Sequence, residues 1–107
     1  MKIVKQLKKV RELLSDPKRF TKRAAARDAE GSVCSASSRK AERFCAYGAC
    51  LKIGRRECGL LVNALDSAVY DLFSAPPPTV NDAKNGRRNI LKAIDHAIAK
   101  LEGSANG

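Results

Sequence analysis

Residues 2–15 read KIVKQLKKVRELLS, and the reading of this stretch decides the fold class. Ile3, Leu7, Val10 and Leu14 recur at helical spacing, with Val4 and Leu13 beside them. That spacing predicts an amphipathic helix with one apolar stripe. Lys5, Lys8, Lys9 and Glu12 fall on the opposite face, with Lys2 at its edge. Ser15-Asp16-Pro17 ends the helix, because the residue before a proline is driven out of helical geometry. A striped helix must bury its stripe against other elements, so the rest of the chain is read for packing partners.

Three further helices are expected. Residues 38–53, entered through Ser37 or Ser38 as N-cap, put Ala41, Phe44, Cys45, Gly48 and Leu51 on one face. Gly48, with Cys45 and Ala49 beside it, predicts a smooth strip that a second helix approaches closely. Gly54-Arg55-Arg56 ends this helix. Residues 57–73 carry the stripe Leu61, Leu65, Ala68, Val69 and Leu72, with Cys58 on the same side. Residues 87–102 carry Ile90, Leu91, Ile94, Ala97, Ile98 and Leu101, and the pattern allows a start as early as Asp82. Lys92, His96 and Lys100 lie off that face, so His96 is expected to be exposed. Gly103 reads as the closing cap, and residues 103–107 as a frayed tail.

The connections are less regular. Ser74-Ala75-Pro76-Pro77-Pro78-Thr79 reads as a stiff, extended connector. Phe20 is expected to anchor residues 18–37 to the core. Asp28-Ala29-Glu30-Gly31 reads as a turn. Short extended pieces at 21–26 and 32–35 can pair across it, although Ala24-Ala25-Ala26 suits a helix by propensity. The expected fold is mainly α: a compact four-helix domain, with a small β-hairpin between helices 1 and 2 as an option. The 107 residues make a single domain, 1–107, with an ordered core over about 2–102.

Composition narrows the functional classes. Hydrophobic residues are 44% of the chain, enough for a globular core, while aromatics are 5% and Trp is absent. The core must therefore be aliphatic. No apolar run approaches the ~20 residues of a membrane span. No secretory pattern is read at the start of the chain, so a cytoplasmic location is expected. Residues 1–56 hold 16 basic and 5 acidic groups, and residues 57–107 hold 5 and 6. The net charges are thus +11 and −1, which account for the total of +10. A field this one-sided attracts polyanions. The cations fall into three clusters: Lys2, Lys5, Lys8, Lys9 and Arg11; then Lys18, Arg19, Lys22, Arg23 and Arg27; then Arg39, Lys40 and Arg43 with Lys52, Arg55 and Arg56.

Sites of chemistry are not expected. Cys34, Cys45, Cys50 and Cys58 are spaced by ten, four and seven residues, which does not give the two close pairs of a zinc site. They read as thiols rather than disulfides. No spacing brings His96 to a cysteine as a base, no two carboxylates are forced together, and no phosphate-cradling glycine loop is present. No cofactor or metal is called for.

Phe20, the run Ala26-Arg27-Asp28-Ala29-Glu30-Gly31, Ala41, Phe44-Cys45, Gly48-Ala49, Asn81-Asp82 and Ala97-Ile98 together resemble a small bacterial and phage family classed as a domain of unknown function. The resemblance covers about residues 20–101, with Phe20 where that family carries Trp. It implies a small, mostly helical domain of the kind carried by phages and mobile elements, and it carries over no catalytic residue. Read as structure, Asp28 and Gly31 suit a turn, Arg27 suits a carboxylate partner, and Asn81 and Asp82 suit a helix N-cap and loop anchor, where their oxygens accept backbone N–H groups.

The expected function is a non-enzymatic binding module. Its basic half would engage nucleic acid or a ribonucleoprotein through Lys5, Lys8, Lys9, Lys18, Arg19, Lys22, Arg23, Arg27, Arg39, Lys40, Arg43, Arg55 and Arg56. The alternative is an inhibitor or adaptor that docks on an acidic protein surface of a host defence or regulatory complex. Neither a membrane nor a small-molecule substrate is expected as a partner.

Overall fold

The structure is a computed structural model and describes residues 2–106. Helix α1, Lys2–Ser15, buries Val4, Leu7, Val10 and Leu14 as its spacing requires. Pro17–Arg19 follow as a single 3-10 turn, capped by the Asp16 carboxylate, which accepts from the Lys18 N–H at 2.9 Å. Phe20 then packs against the core and bridges to Phe44.

A small sheet comes next, formed by β1 (Ala26–Arg27), β2 (Val33–Cys34) and β3 (Arg43–Phe44) in the order β2-β1-β3. Both pairings are antiparallel, with Ala26 opposite Cys34 on one side and Phe44 on the other. The hairpin option is therefore realised, with strands confined to 26–27 and 33–34. Its turn is closed by Asp28, whose Oδ1 accepts from the N–H groups of Glu30 and Ser32. Gly31 has φ +86°, a left-handed geometry that costs glycine nothing.

The third strand corrects the sequence reading. Residues 38–45 are not helical. Ser38 starts a turn instead, its hydroxyl accepting from Lys40 N–H at 3.1 Å. The Glu42 N–H then donates to Arg27 O and the Cys45 N–H to Ala25 O, so the backbone of this stretch is satisfied by β1 rather than by its own preceding turn. Helix α2 spans only Ala46–Gly54, and its N-cap is Cys45 rather than Ser37 or Ser38. Phe44 is buried from the strand, and Leu51, expected on the apolar face, is 44% exposed.

After a 3-10 turn at Arg55–Glu57, α3 spans Cys58–Phe73 and buries Leu61, Leu65, Ala68 and Val69. The proline run is a second correction. Pro77–Asp82 form a short helix, α4, with prolines in its first turn. A first-turn residue has no intrahelical use for an N–H, so proline there costs nothing and its fixed φ favours the helix. Helix α4 buries Pro77, Val80 and Asn81. Helix α5 spans Gly86–Asn106 and runs through Gly103, which is therefore not its cap. The last residue of the expected tail, Gly107, lies outside the described residues. Ile90, Ala93, Ile94 and Ala97 of α5 are buried. Arg87 reaches back from α5 to the C-terminus of α1, donating to Ser15 O at 2.9 Å and satisfying a carbonyl the helix leaves open. The four helices read from the sequence thus each have a counterpart in a mainly helical domain around one core.

Candidate nucleic-acid interface

Packing redistributes the charge. The acidic groups of the near-neutral second half meet the cations of α1: Lys2 pairs with Glu57, Lys8 with Glu102 at 3.9 Å, and Arg11 with Asp95 at 2.9 Å. Asp71 holds Lys100 at 2.9 Å and His96 at 3.3 Å, and these partners keep its carboxyl below the ordinary range. His96 is half-buried in this contact rather than fully exposed.

Two of the thirteen site residues serve the fold. Arg27 is half-buried and donates to Thr21 Oγ1 and to the carbonyls of Gly31 and Lys22, where a carboxylate partner was expected. Lys22 donates from Nζ to Ala83 O at 2.8 Å. Lys8 is exposed beside Glu102. The remaining ten, Lys5, Lys9, Lys18, Arg19, Arg23, Arg39, Lys40, Arg43, Arg55 and Arg56, are exposed, with no carboxylate partner among the described residues.

Arg55 and Arg56 are brought together with Lys52 along one groove of about 660 Å³. Its other wall carries Ser35 and Ser37, whose hydroxyls stand 2.9 Å apart. The groove exists because α2 ends early: Arg55 takes φ +50°, and the chain turns through 3-10 geometry into α3. Glu57, the nearest acid in sequence, is occupied by Lys2. The two serines were not singled out from sequence, since nothing local links residues 35–37 to 52–56. Lys9 and Arg19 share a more open depression of about 440 Å³, but Glu12 and Asp16 line it as well. Arg23 lines a third cleft, of about 350 Å³, between residues 23–25, the start of α2 and α4.

The cysteines are thiols, and they do not cluster as ligands: among the described residues no group of three or more His, Cys, Asp or Glu can hold a metal ion. Cys50 is buried in the core, and burial pushes its pKa up to about 12. Cys45 is half-buried, its Sγ accepting from the Gly48 N–H at 3.3 Å, and desolvation raises its pKa despite the backbone donors. Cys45 therefore lies at a helix start and not on the apolar helix face where its spacing put it. In native protein at pH 8, Cys50 is expected to be the last thiol that iodoacetamide labels, reacting only on unfolding; mass spectrometry of partly labelled protein checks this. The raised pKa values also fix a sign. The unfolded chain ionises its thiols above about pH 8.5 while the folded chain resists, so stability falls as pH rises beyond that point.

Comparison with protein-family models, with curated proteins and with solved structures yields no match. Among the described residues no helix is long and apolar enough to cross a membrane.

Proposed function

We propose that this protein is a non-enzymatic module that binds nucleic acid through its phosphate backbone, with the groove of Lys52, Arg55 and Arg56 as the centre of contact. The observation that carries the reading is the convergence of three cations, unpaired with any carboxylate among the described residues, on one groove with two serine hydroxyls. Guanidinium forks and hydroxyls are the donors that phosphate oxygens accept from. The other exposed cations, Arg23, Arg39, Lys40 and Arg43 among them, extend the attraction along the chain beyond the groove. A backbone-directed contact fits a protein with few aromatic residues to spare for stacking.

Filter binding of a single-stranded oligonucleotide over a salt series tests the reading. Three phosphate contacts give a log-log slope of about −2 on a single strand. Reversing the groove charges in Lys52→Glu/Arg55→Glu/Arg56→Glu is expected to lower affinity at low salt by at least tenfold and flatten the slope. Retention of no DNA or RNA at low salt overturns the reading.

The exposed Leu51 on the groove supports a second reading, docking on an acidic protein surface. In that case a nuclease-treated host lysate yields a protein partner whose capture the same charge reversal abolishes.

A further inference from the structure

We propose that the 350 Å³ cleft lined by Arg23 and Asp82 is a pocket for a single nucleobase, and that guanine is the base it fits. The source of that base rests on the nucleic-acid reading above, while the pocket itself is argued from its own walls.

The cleft lies at the lower end of the size range of small-ligand cavities. Ala24, Ala25, Pro77 and Pro78 give it small, apolar walls. Tyr47 lines it too, its hydroxyl fixed by a 2.6 Å hydrogen bond to Asp66. A small, mostly apolar body suits such walls. Its polar groups have distinct roles. Asn81 is wholly engaged in holding the fold: it accepts from Ala46 N–H and donates to Thr21 O and Asp82 Oδ1. Asp82 Oδ1 also accepts the Arg23 backbone N–H at 3.0 Å, which holds Arg23 at φ +63°. A non-glycine residue kept in that region stores strain that the surrounding structure must over-determine. Asp82 Oδ2 and the Arg23 guanidinium have no hydrogen-bond partner among the described residues.

The lining of the cleft thus includes a carboxylate oxygen and a guanidinium, neither of them hydrogen-bonded to another group among the described residues. Guanine combines two adjacent acceptors, O6 and N7, with two adjacent donors, N1–H and the N2 amino group. Arginine takes the first pair in a bidentate contact, and a carboxylate accepts from the second. Uracil alternates acceptor, donor, acceptor, and adenine lacks the paired acceptors, so neither satisfies both groups.

The test compares two RNA heptamers, all-uridine and the same strand with one central guanosine, and separately guanosine 5′-monophosphate, against adenosine 5′-monophosphate. A preference of roughly tenfold for the guanosine strand is expected, the scale of one good bidentate base contact. Asp82→Asn is expected to remove the preference while leaving binding of the all-uridine strand within about threefold, whereas Arg23→Gln removes the preference and, as the loss of one exposed cation, weakens binding of both strands. Bound guanosine 5′-monophosphate should also slow alkylation of Cys45, which lines the cleft. Guanosine 5′-monophosphate binding without strand binding supports the pocket with a free nucleotide as source, and overturns the groove reading instead. Equal affinity for both strands together with no protection of Cys45 overturns the pocket and leaves the groove reading standing. The wild-type comparison decides the matter even if a variant fails to fold.

Discussion

Replacing Gly48 by alanine is expected to cost about 4 kcal/mol or more, although helix propensity alone gives alanine an advantage of about 1 kcal/mol. A Cβ at Gly48 would stand 1.8 Å from the carbonyl oxygen of Ala25 and 2.7 Å from its carbon. Both are backbone atoms, and no rotamer change relieves the clash. The Ala25 carbonyl is fixed in turn, since it accepts the Cys45 N–H at 3.2 Å. Alanine at position 48 must therefore push α2 away from the start of β1 and break the junction that seats Phe44. Gly59→Ala is the control. It lies in α3, and a Cβ there meets nothing within 4 Å. That variant should be neutral or gain up to about 1 kcal/mol. Urea midpoints of the two variants measure the contrast. Equal midpoints would mean that residue 25 does not approach α2 as described.

Asn81→Ala should be the next most damaging change. The side chain is 1% exposed and joins three segments distant in sequence. Its Oδ1 accepts from Ala46 N–H at 2.9 Å, and its Nδ2 donates to Thr21 O at 3.1 Å and to Asp82 Oδ1 at 3.0 Å. Alanine leaves the Ala46 and Thr21 backbone groups unpaired where water does not reach. At about 1–3 kcal/mol for each such group, the loss is on the order of 3 kcal/mol. For a domain of this size the melting temperature should fall by roughly 12–24 °C. Asn81→Asp sharpens the test. It keeps the acceptor for Ala46 but turns an oxygen toward Thr21 O and Asp82. Burial and that neighbouring carboxylate raise the folded-state pKa of the new acid, so its destabilisation is full at neutral pH and lessens as pH falls toward 4 and the acid becomes a donor. A pH-independent melting difference from wild type would contradict the hydrogen-bond account.

The elements that were legible in the sequence are those whose burial follows from one helix face. Leu61, Leu65, Ala68 and Val69 on α3, and Ile90, Ile94 and Ala97 on α5, are buried where their spacing put them. The stretch 38–45 misleads because Ala41, Phe44, Cys45 and Gly48 satisfy helical spacing while the backbone of residues 42–45 bonds to residues 25–27. Local pattern cannot register a hydrogen-bond partner 15 to 20 positions away. Asn81-Asp82 is legible in part: their oxygens accept backbone N–H groups as a loop anchor's do, from Ala46 and Arg23, but the pair closes α4 rather than capping the helix that follows, and its partners lie far off in sequence. The three prolines are ambiguous because proline suits an extended linker and the first turn of a helix equally well.

By itself the sequence determined helices α1, α3 and α5, the Asp28–Gly31 turn and the excess of cations in the first half, because each depends on spacing, backbone preference or a count. Tertiary structure alone decided that Arg27 and Lys22 serve the fold, that the acids of the second half meet α1, and that Lys52, Arg55 and Arg56 face Ser35 and Ser37. The physical reason is that neutralisation and convergence depend on separation in space, and only the packed chain sets which charges come within reach of one another.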